Sequence, residues 1–321
     1  MQKGIPFGKN RNENLVMVFL SFYDIITVIM KLKLSKILDL IMNLFLVACG
    51  AVALLLLVQL FCFTSFKIPS DSMEPALQQG DRIIVNKLVQ GARLFNVFAA
   101  LRGEDIKIYR TPGFGKLERN DVLVFNFPYA ENRWDSIRFN VMEYYVKRCI
   151  AVPGDTVEIR NCYYRIRGYN GELGNIEAQR YLSELEKPED RGIVTGTFPW
   201  DWGLGWNIRE FGPLPVPRRG QEVKMEKTTL HLYKQLIEWE QKCKMSEKGD
   251  TIFMGDSIIQ TYQFKKNYYF VSGDKMPNSR DSRYWGMLPE EYIVGKVTRI
   301  WNSKDVNTGK TRWERVMKRI A

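Results

Sequence analysis

Tyr144-Tyr-Val-Lys-Arg-Cys-Ile-Ala-Val-Pro-Gly-Asp155 is an apolar, β-branched and aromatic run closed by a Pro-Gly-Asp turn. Such a run reads as a strand. With a period of two, Tyr145, Lys147 and Cys149 share one face, while Val146 and Ile150 share the other. Lys147 is thus flanked on its own face by an aromatic and a small apolar residue. A lysine in a strand is ordinarily a surface residue; flanked like this it can instead be a desolvated amine.

Working outward, similar short runs recur at 82–89, 121–127, 156–159, 268–271 and 293–300, punctuated by Gly, Pro and Asn. This pattern predicts a mainly β domain, a folded sheet or barrel. One helix is expected near 228–242, where Leu232, Leu236 and Trp239 fall at helical spacing behind a threonine cap. Residues 161–260 differ in texture, rich in Gly, Trp, Pro and charge, and read as an inserted α+β subdomain. The expected organisation is an N-terminal segment over 1–36, a transmembrane helix over 37–64, a catalytic β domain made of 65–160 and 261–321, and the insertion at 161–260. Trp313, Val316, Met317 and Ile320 at the C-terminus fall on one helical face among Arg and Lys. They predict a terminal helix, either docked on an anionic membrane or packed on the domain.

Residues 40–63 read LIMNLFLVACGAVALLLLVQLFCF, interrupted only by Asn43 and Gln59. Roughly 24 residues at 1.5 Å each span about 36 Å, enough for a bilayer core of about 30 Å. The run is too long for a cleaved leader, and no small-residue cleavage pattern follows it. Lys31, Lys33 and Lys36 precede it, which places them in the cytoplasm and the remainder of the chain on the far side. Residues 14–30 are a weaker apolar stretch broken by Asp24. They read as a first span, an interfacial helix, or an upstream extension with initiation at Met30.

Composition removes several chemistries. Among 321 residues there is one histidine, His231, so a His-rich metal site is excluded and a Ser-His machine would hang on that residue alone. His231 itself reads as an ordinary helix-face residue. The five cysteines, Cys49, Cys62, Cys149, Cys162 and Cys243, form no CxxC and indicate no disulfide. The net charge of +11 fits a membrane surface or simple solubility. No zinc-finger spacing or RNA-binding signature accompanies it, so nucleic acid is not an expected partner.

Immediately after the span comes Ile68-Pro-Ser-Asp-Ser-Met-Glu-Pro-Ala-Leu77, two serines in a polar turn between prolines. A serine needs a base to become a nucleophile. Without a convenient histidine, the alternative is a lysine, which serves only when neutral. Its ordinary pKa of about 10.4 must fall, and desolvation lowers it. Lys147 in its apolar strand meets that need.

These stretches resemble the bacterial type I signal peptidases, Ser-Lys serine peptidases also called leader peptidases. Ser70-Asp-Ser-Met-Glu-Pro75 resembles the nucleophile box S-x-S-M-x-P, and Asp121-Val-Leu-Val-Phe125 the strand box that follows. Tyr145-Val-Lys-Arg-Cys-Ile-Ala-Val-Pro-Gly-Asp155 resembles the lysine box K-R-x-x-G-x-P-G-D. Gly273-Asp-Lys-Met-Pro-Asn-Ser-Arg-Asp-Ser-Arg-Tyr-Trp-Gly286 resembles the final box G-D-N-x-x-x-S-x-D-S-R-x-W-G. Each block alone is weak to moderate; their order behind a span is specific. The insertion is not covered.

The resemblance implies roles. Ser72 would be the nucleophile and Lys147 its general base. The Ser72 amide and the Ser70 hydroxyl would form the oxyanion hole. Ser279 would orient the lysine amine. Asp281 and Arg283 would pair to support the final box, which Gly273 and Asp274 open. Ile68, Pro69, Met73 and Val146 would line shallow substrate pockets. It further implies cleavage of secretory preproteins at A-x-A-like sites, with the lipid bilayer as partner and no metal or organic cofactor. The location implied is the cytoplasmic (inner) membrane, the catalytic domain on its outer, periplasmic side. The chain departs from the pattern at Ala151, at Ala76 and at Lys275-Met-Pro277. Lys275 brings an extra cation, expected to lower the Lys147 pKa further if close. Two other readings stand beside this one: a Ser-Lys peptidase with one dedicated client, as in pilus or conjugation maturation, and a non-catalytic membrane-tethered pseudo-peptidase.

Overall fold

The computed structural model describes residues 11–129, 134–200 and 202–320. The first ten residues of the expected N-terminal segment therefore lie outside it. In chain order the elements that matter here are α1 (Arg11–Phe61), β1 (Phe63–Lys67), β2 (Asp81–Asn86), β3 (Val122–Asn126), β4 (Tyr144–Ala151), β5 (Thr156–Arg160) and β6 (Tyr163–Ile166). They continue with α2 (Ile176–Glu184), β7 (Phe211–Pro215), α3 (Lys227–Gln241), β8 (Tyr268–Ser272), the single turn α4 (Ser282–Trp285), β9 (Leu288–Pro289) and β10 (Ile293–Ser303).

The chain forms two compact units, 1–58 and 59–321. The first is most of α1. Within that helix Lys36–Phe61, 26 residues, is long and apolar enough to cross a membrane, and it is the one such segment among the described residues. The weaker stretch at 14–30 runs into it without a break in the helix. In the second unit, the Lys87 amine donates to the Gln59 carbonyl at 2.8 Å and the Leu60 carbonyl at 3.2 Å. It thereby satisfies carbonyls that a helix end leaves free.

The main sheet is antiparallel, in the order β1-β2-β10-β3-β4-β8-β9. That order is linear, and no pairing joins β1 to β9 among the described residues, so the folded-sheet description fits and closure into a barrel is not seen. Register shifts in β10 at Ile293/Gly295, Val297/Arg299 and Ile300/Asn302 mark bulges, which bend and twist a strand. At Gly295 a Cβ would stand 2.4 Å from the Asn86 carbonyl oxygen, so only glycine lets β2 and β10 approach there.

Both faces of the sheet are buried at β3. Val122 and Val124 join a small core with Ile68, Met73, Ile83 and Val297. Leu123 and Phe125 join a larger one with Phe127, Phe270 and Trp285. This is why 122–125 is an uninterrupted apolar run rather than an alternating one. Residues of the 161–260 region share the larger core: Phe211, Leu214, Leu236 and Ile237 pack in it with the sheet. A second sheet, β6-β5-β7, leads into that region.

The C-terminus corrects one expectation. Residues 313–320 do not form a helix; Trp313–Arg315 is a single 3-10 turn. Arg315 is buried and pairs with Asp81 at 2.6 Å, and the Ile320 amide donates to the Thr298 carbonyl. These bonds stretch the segment along β10, so its apolar residues cannot share one helical face: Trp313 and Met317 are exposed while Ile320 packs on the small core.

Candidate active site

Two elements converge to make the site. The first is the turn after β1. The Ile68 amide donates to the Asp81 carbonyl and the Gly80 amide to the Ile68 carbonyl, so the chain leaves β1 still tied to β2. Met73 and Leu77 then plunge into the small core, 1% and 0% exposed. Their burial holds Ser70 and Ser72 at the surface of the turn, with the two Oγ atoms 3.5 Å apart.

The second element is β4. Its residues Tyr144–Arg148 pair with β3, while only Arg148–Ala151 pair with β8. One edge of β4 therefore stays open from Tyr144 to Lys147 among the described residues. The strand ends where Gly154 takes φ +96 and the Asp155 carboxylate accepts from the Val152 amide, closing the Pro-Gly-Asp turn.

The Lys147 amine meets the Ser72 hydroxyl at 2.5 Å. Lys147 is 4% exposed. Burial pulls its pKa down to about 8; the Asp281 carboxylate opposes this, and the Arg283 guanidinium adds to it. The Tyr145 ring on the same strand face lies 5.9 Å from the amine.

The final box backs this pair. Asp281 and Arg283 are wholly buried and joined at 2.8 and 2.9 Å through both carboxylate oxygens. Burial pushes the Asp281 carboxyl up, and the charge and hydrogen bonds of Arg283 outweigh it, holding the group below its usual range. Asp281 also accepts from the Gly273 amide at 3.0 Å. A Cβ on Gly273 would stand 2.2 Å from the Ser279 hydroxyl oxygen and 2.6 Å from the Ser72 carbonyl oxygen. Glycine there lets the final box close directly on the Ser70–Ser72 turn. Asp274 takes a bidentate pair from Arg148, 2.7 Å on each arm. Ser279 is buried beside Gly273, and its Oγ makes no hydrogen bond among the described residues, the lysine amine included.

Ile68, Pro69, Met73 and Val146 border one cleft of about 570 Å³ that also holds Ser70, Ser72 and Lys147. Pro69 is exposed, whereas Ile68 and Met73 lie beneath the surface. Among the described residues no cluster of three or more His, Cys, Asp or Glu could hold a metal ion. All five cysteines are free.

Sequence reading missed an ionic clamp on the Ser70–Ser72 turn. The Lys275 amine pairs with Asp71 and, at 3.1 Å, with Glu74. Asn278 donates to Asp71 at 3.2 Å, and the Lys275 amide donates to the Ser72 carbonyl at 3.0 Å. The extra cation is thus spent on its own carboxylates, and the charge that assists burial at Lys147 is Arg283 instead. The signal was present: two acids flank Ser72, and a lysine stands where the resembled pattern has asparagine.

The sequence model of the family described as signal peptidase, peptidase S26, matches residues 41–301. Signal peptidase I of Pseudomonas aeruginosa is 30% identical over 260 residues, 78% of this chain and 68% of that protein. The Buchnera aphidicola (subsp. Baizongia pistaciae) signal peptidase I is 29% identical, over 76% of this chain and 71% of that protein. The Haemophilus influenzae protein of the same name is 29% identical, over 82% and 71%. Together with a serine turn and a buried lysine in contact, these matches establish that the chain belongs to the signal peptidase family, peptidase S26, and is a hydrolase of peptide bonds.

Proposed function

We propose that this chain removes signal peptides from secreted preproteins with Ser72 as nucleophile and Lys147 as general base. The observation that carries the reading is the 2.5 Å contact between the two side chains, with the amine buried and its pKa near 8. The neutral amine takes the Ser72 proton as Oγ attacks the scissile carbonyl carbon. The oxyanion that forms is held by the Ser72 amide and the Ser70 hydroxyl. The lysine ammonium then gives its proton to the leaving amine, and an acyl-enzyme remains. Lys147 next deprotonates a water, which attacks the acyl carbon; as the acyl–Oγ bond breaks, the lysine ammonium returns that proton to the Ser72 oxygen. Ser279, buried and unpaired, is assigned to orient the amine.

Substrate adds as a strand along the open β4 edge, Tyr144–Lys147, with main-chain hydrogen bonds for affinity. Shallow pockets bordered by Ile68, Pro69, Met73 and Val146 favour small side chains, as in an A-x-A-like site. The segment 37–64 is the membrane anchor, 65–160 with 261–321 the catalytic part, and 161–260 its insertion. The catalytic part faces outward from the cytoplasmic membrane. A preprotein with an A-x-A site, incubated with the detergent-solubilised protein, tests this. Cleavage by wild type, lost in both Ser72→Ala and Lys147→Ala, is expected. Cleavage that survives Lys147→Ala sinks the assignment of the base.

A further inference from the structure

A second cleft, of about 540 Å³, is lined by Trp134, Val194, Trp200, Tyr284 and the 277–280 turn. Asn278 and Arg280 border both this cleft and the one that holds Ser72. Asn278 also donates to Asp71, next to Ser72 in sequence, so a continuous wall runs from the nucleophile turn into the second cleft.

The outer wall comes from the 161–260 region and is fastened to α4. The Trp200 indole N–H donates to the Tyr284 carbonyl at 2.9 Å, and the Tyr284 hydroxyl to the Val194 carbonyl at 3.0 Å. The Phe198 amide donates to the Arg283 carbonyl at 2.8 Å. The Trp200 ring lies 6.3 Å from Trp134 and 6.3 Å from Tyr284, at interplanar angles of 31° and 29°. Three aromatic residues thus form one trough.

Two features set this trough apart from packed core. Trp200 and Val194 stay 47% and 56% exposed although the neighbouring chain is well bonded. Trp200 also holds φ +64, a conformation that bulky residues rarely take and that persists where surroundings impose it, often at ligand clamps. An apolar side chain of a polypeptide would cover the exposed Trp200 ring and Val194.

We propose that this trough binds the mature part of the substrate, a few residues beyond the cut, and selects an aromatic or large aliphatic side chain there. The inference rests on the reading that Ser72 cleaves a polypeptide. The side follows from the cleft's borders. Phe66 to Ile68 follow closely in sequence on the apolar helix that ends at Phe61, so the signal-peptide half belongs at that border. The border at Asn278 and Arg280 is left for the mature half.

The test uses the full-length protein in detergent and two preprotein peptides identical up to the cut. One ends soon after it; the other continues about eight residues and carries a phenylalanine. The readout is the ratio of kcat/KM, long over short. A wild-type ratio of about ten, carried by KM, is expected, falling towards one in Val194→Asp and in Trp200→Ala. A wild-type ratio near one, or a ratio that survives both substitutions, overturns the trough. A gain that appears instead on lengthening the signal side overturns the side assignment. Binding of the free mature-side peptide to the Ser72→Ala protein, followed by fluorescence anisotropy, separates the trough from the chemistry. Binding that is lost with Val194→Asp supports the trough even if the assignment of the nucleophile fails; no binding counts against it even if cleavage is Ser72-dependent.

Discussion

Lys147 and Lys275 bring the same amine to two sides of the Ser70–Ser72 turn and meet opposite conditions. Lys147 lies on β4 inside the protein, with no carboxylate among its hydrogen-bond partners in the described residues, and burial pulls it down to about 8. Lys275 stands at the rim, where its hydrogen bond to Asp71 raises its pKa despite partial burial. One amine is prepared to lose its proton near neutral pH and the other to keep it. What separates them is burial against pairing: a charge removed from water without a bonded partner becomes neutral, and a charge with a carboxylate beside it stays charged.

Replacing the inner lysine should have the largest effect. Lys147→Arg keeps length and charge but fixes the cation, since a guanidinium does not deprotonate in proteins. Loss of preprotein cleavage by about a thousandfold or more is expected, read as single-turnover rates. Activity within tenfold of wild type would mean that neutrality at this position is not required.

The support behind the inner lysine comes next. Asp281→Ala leaves Arg283 buried and without its partner, and breaking a buried ion pair costs about 3–5 kcal/mol. The urea midpoint should fall accordingly. An unchanged midpoint would show that the final box is held by the apolar packing of Trp285 and Tyr284 rather than by the ion pair.

The pH profile sharpens the same contrast. Burial lowers the pKa of Lys147, so the neutral form, the active one in the proposed mechanism, gains population as pH rises. kcat/KM should climb about tenfold per unit below about 8 and level off above it. A flat profile between pH 6 and 10 would count against a titrating base with this pKa.

What could be read from the sequence follows the range of the forces involved. Strands such as 122–126 and 144–151 were legible because short apolar, β-branched and aromatic runs bounded by turn residues are local signals. The helix expected at 228–242 is found at Lys227–Gln241 because its apolar spacing is also a local signal, but the expected threonine cap is not seen: its N-cap is Glu226, which makes no side-chain cap bond, and Thr228 lies inside the helix. The strand Phe211–Pro215 was not legible, because Gly212 and Pro213 read as a loop. It pairs with Thr156–Arg160 alone, an edge position where a missing amide donor is tolerated. The C-terminal stretch misled because its apolar spacing is helical, whereas the burial of Arg315 against Asp81 is a contact across the chain that spacing does not register. In the site, Ser72 and Lys147 could be singled out by what a serine without histidine requires. The clamp of Lys275 on Asp71 and Glu74 joins residues far apart in sequence, and only their complementary charges hinted at it.

The smallest expected effect tests the rim itself. Lys275→Met removes the cation that neutralises Asp71, and the freed carboxylate then acts on Lys147, which Asp71 already pushes upward. The midpoint of the pH profile should therefore move up. The pair is more than a third exposed, and exposed pairs are worth about 0.2–1 kcal/mol. At about 1.4 kcal/mol per unit, the shift is about 0.7 unit at most, with the plateau rate falling about two- to threefold as the turn loosens. Lys275→Met combined with Asp71→Asn removes both charges and should return the midpoint towards wild type. A midpoint that stays displaced in the double variant would mean that Lys275 acts through the shape of the turn, by way of its amide bond to the Ser72 carbonyl, and not through its charge.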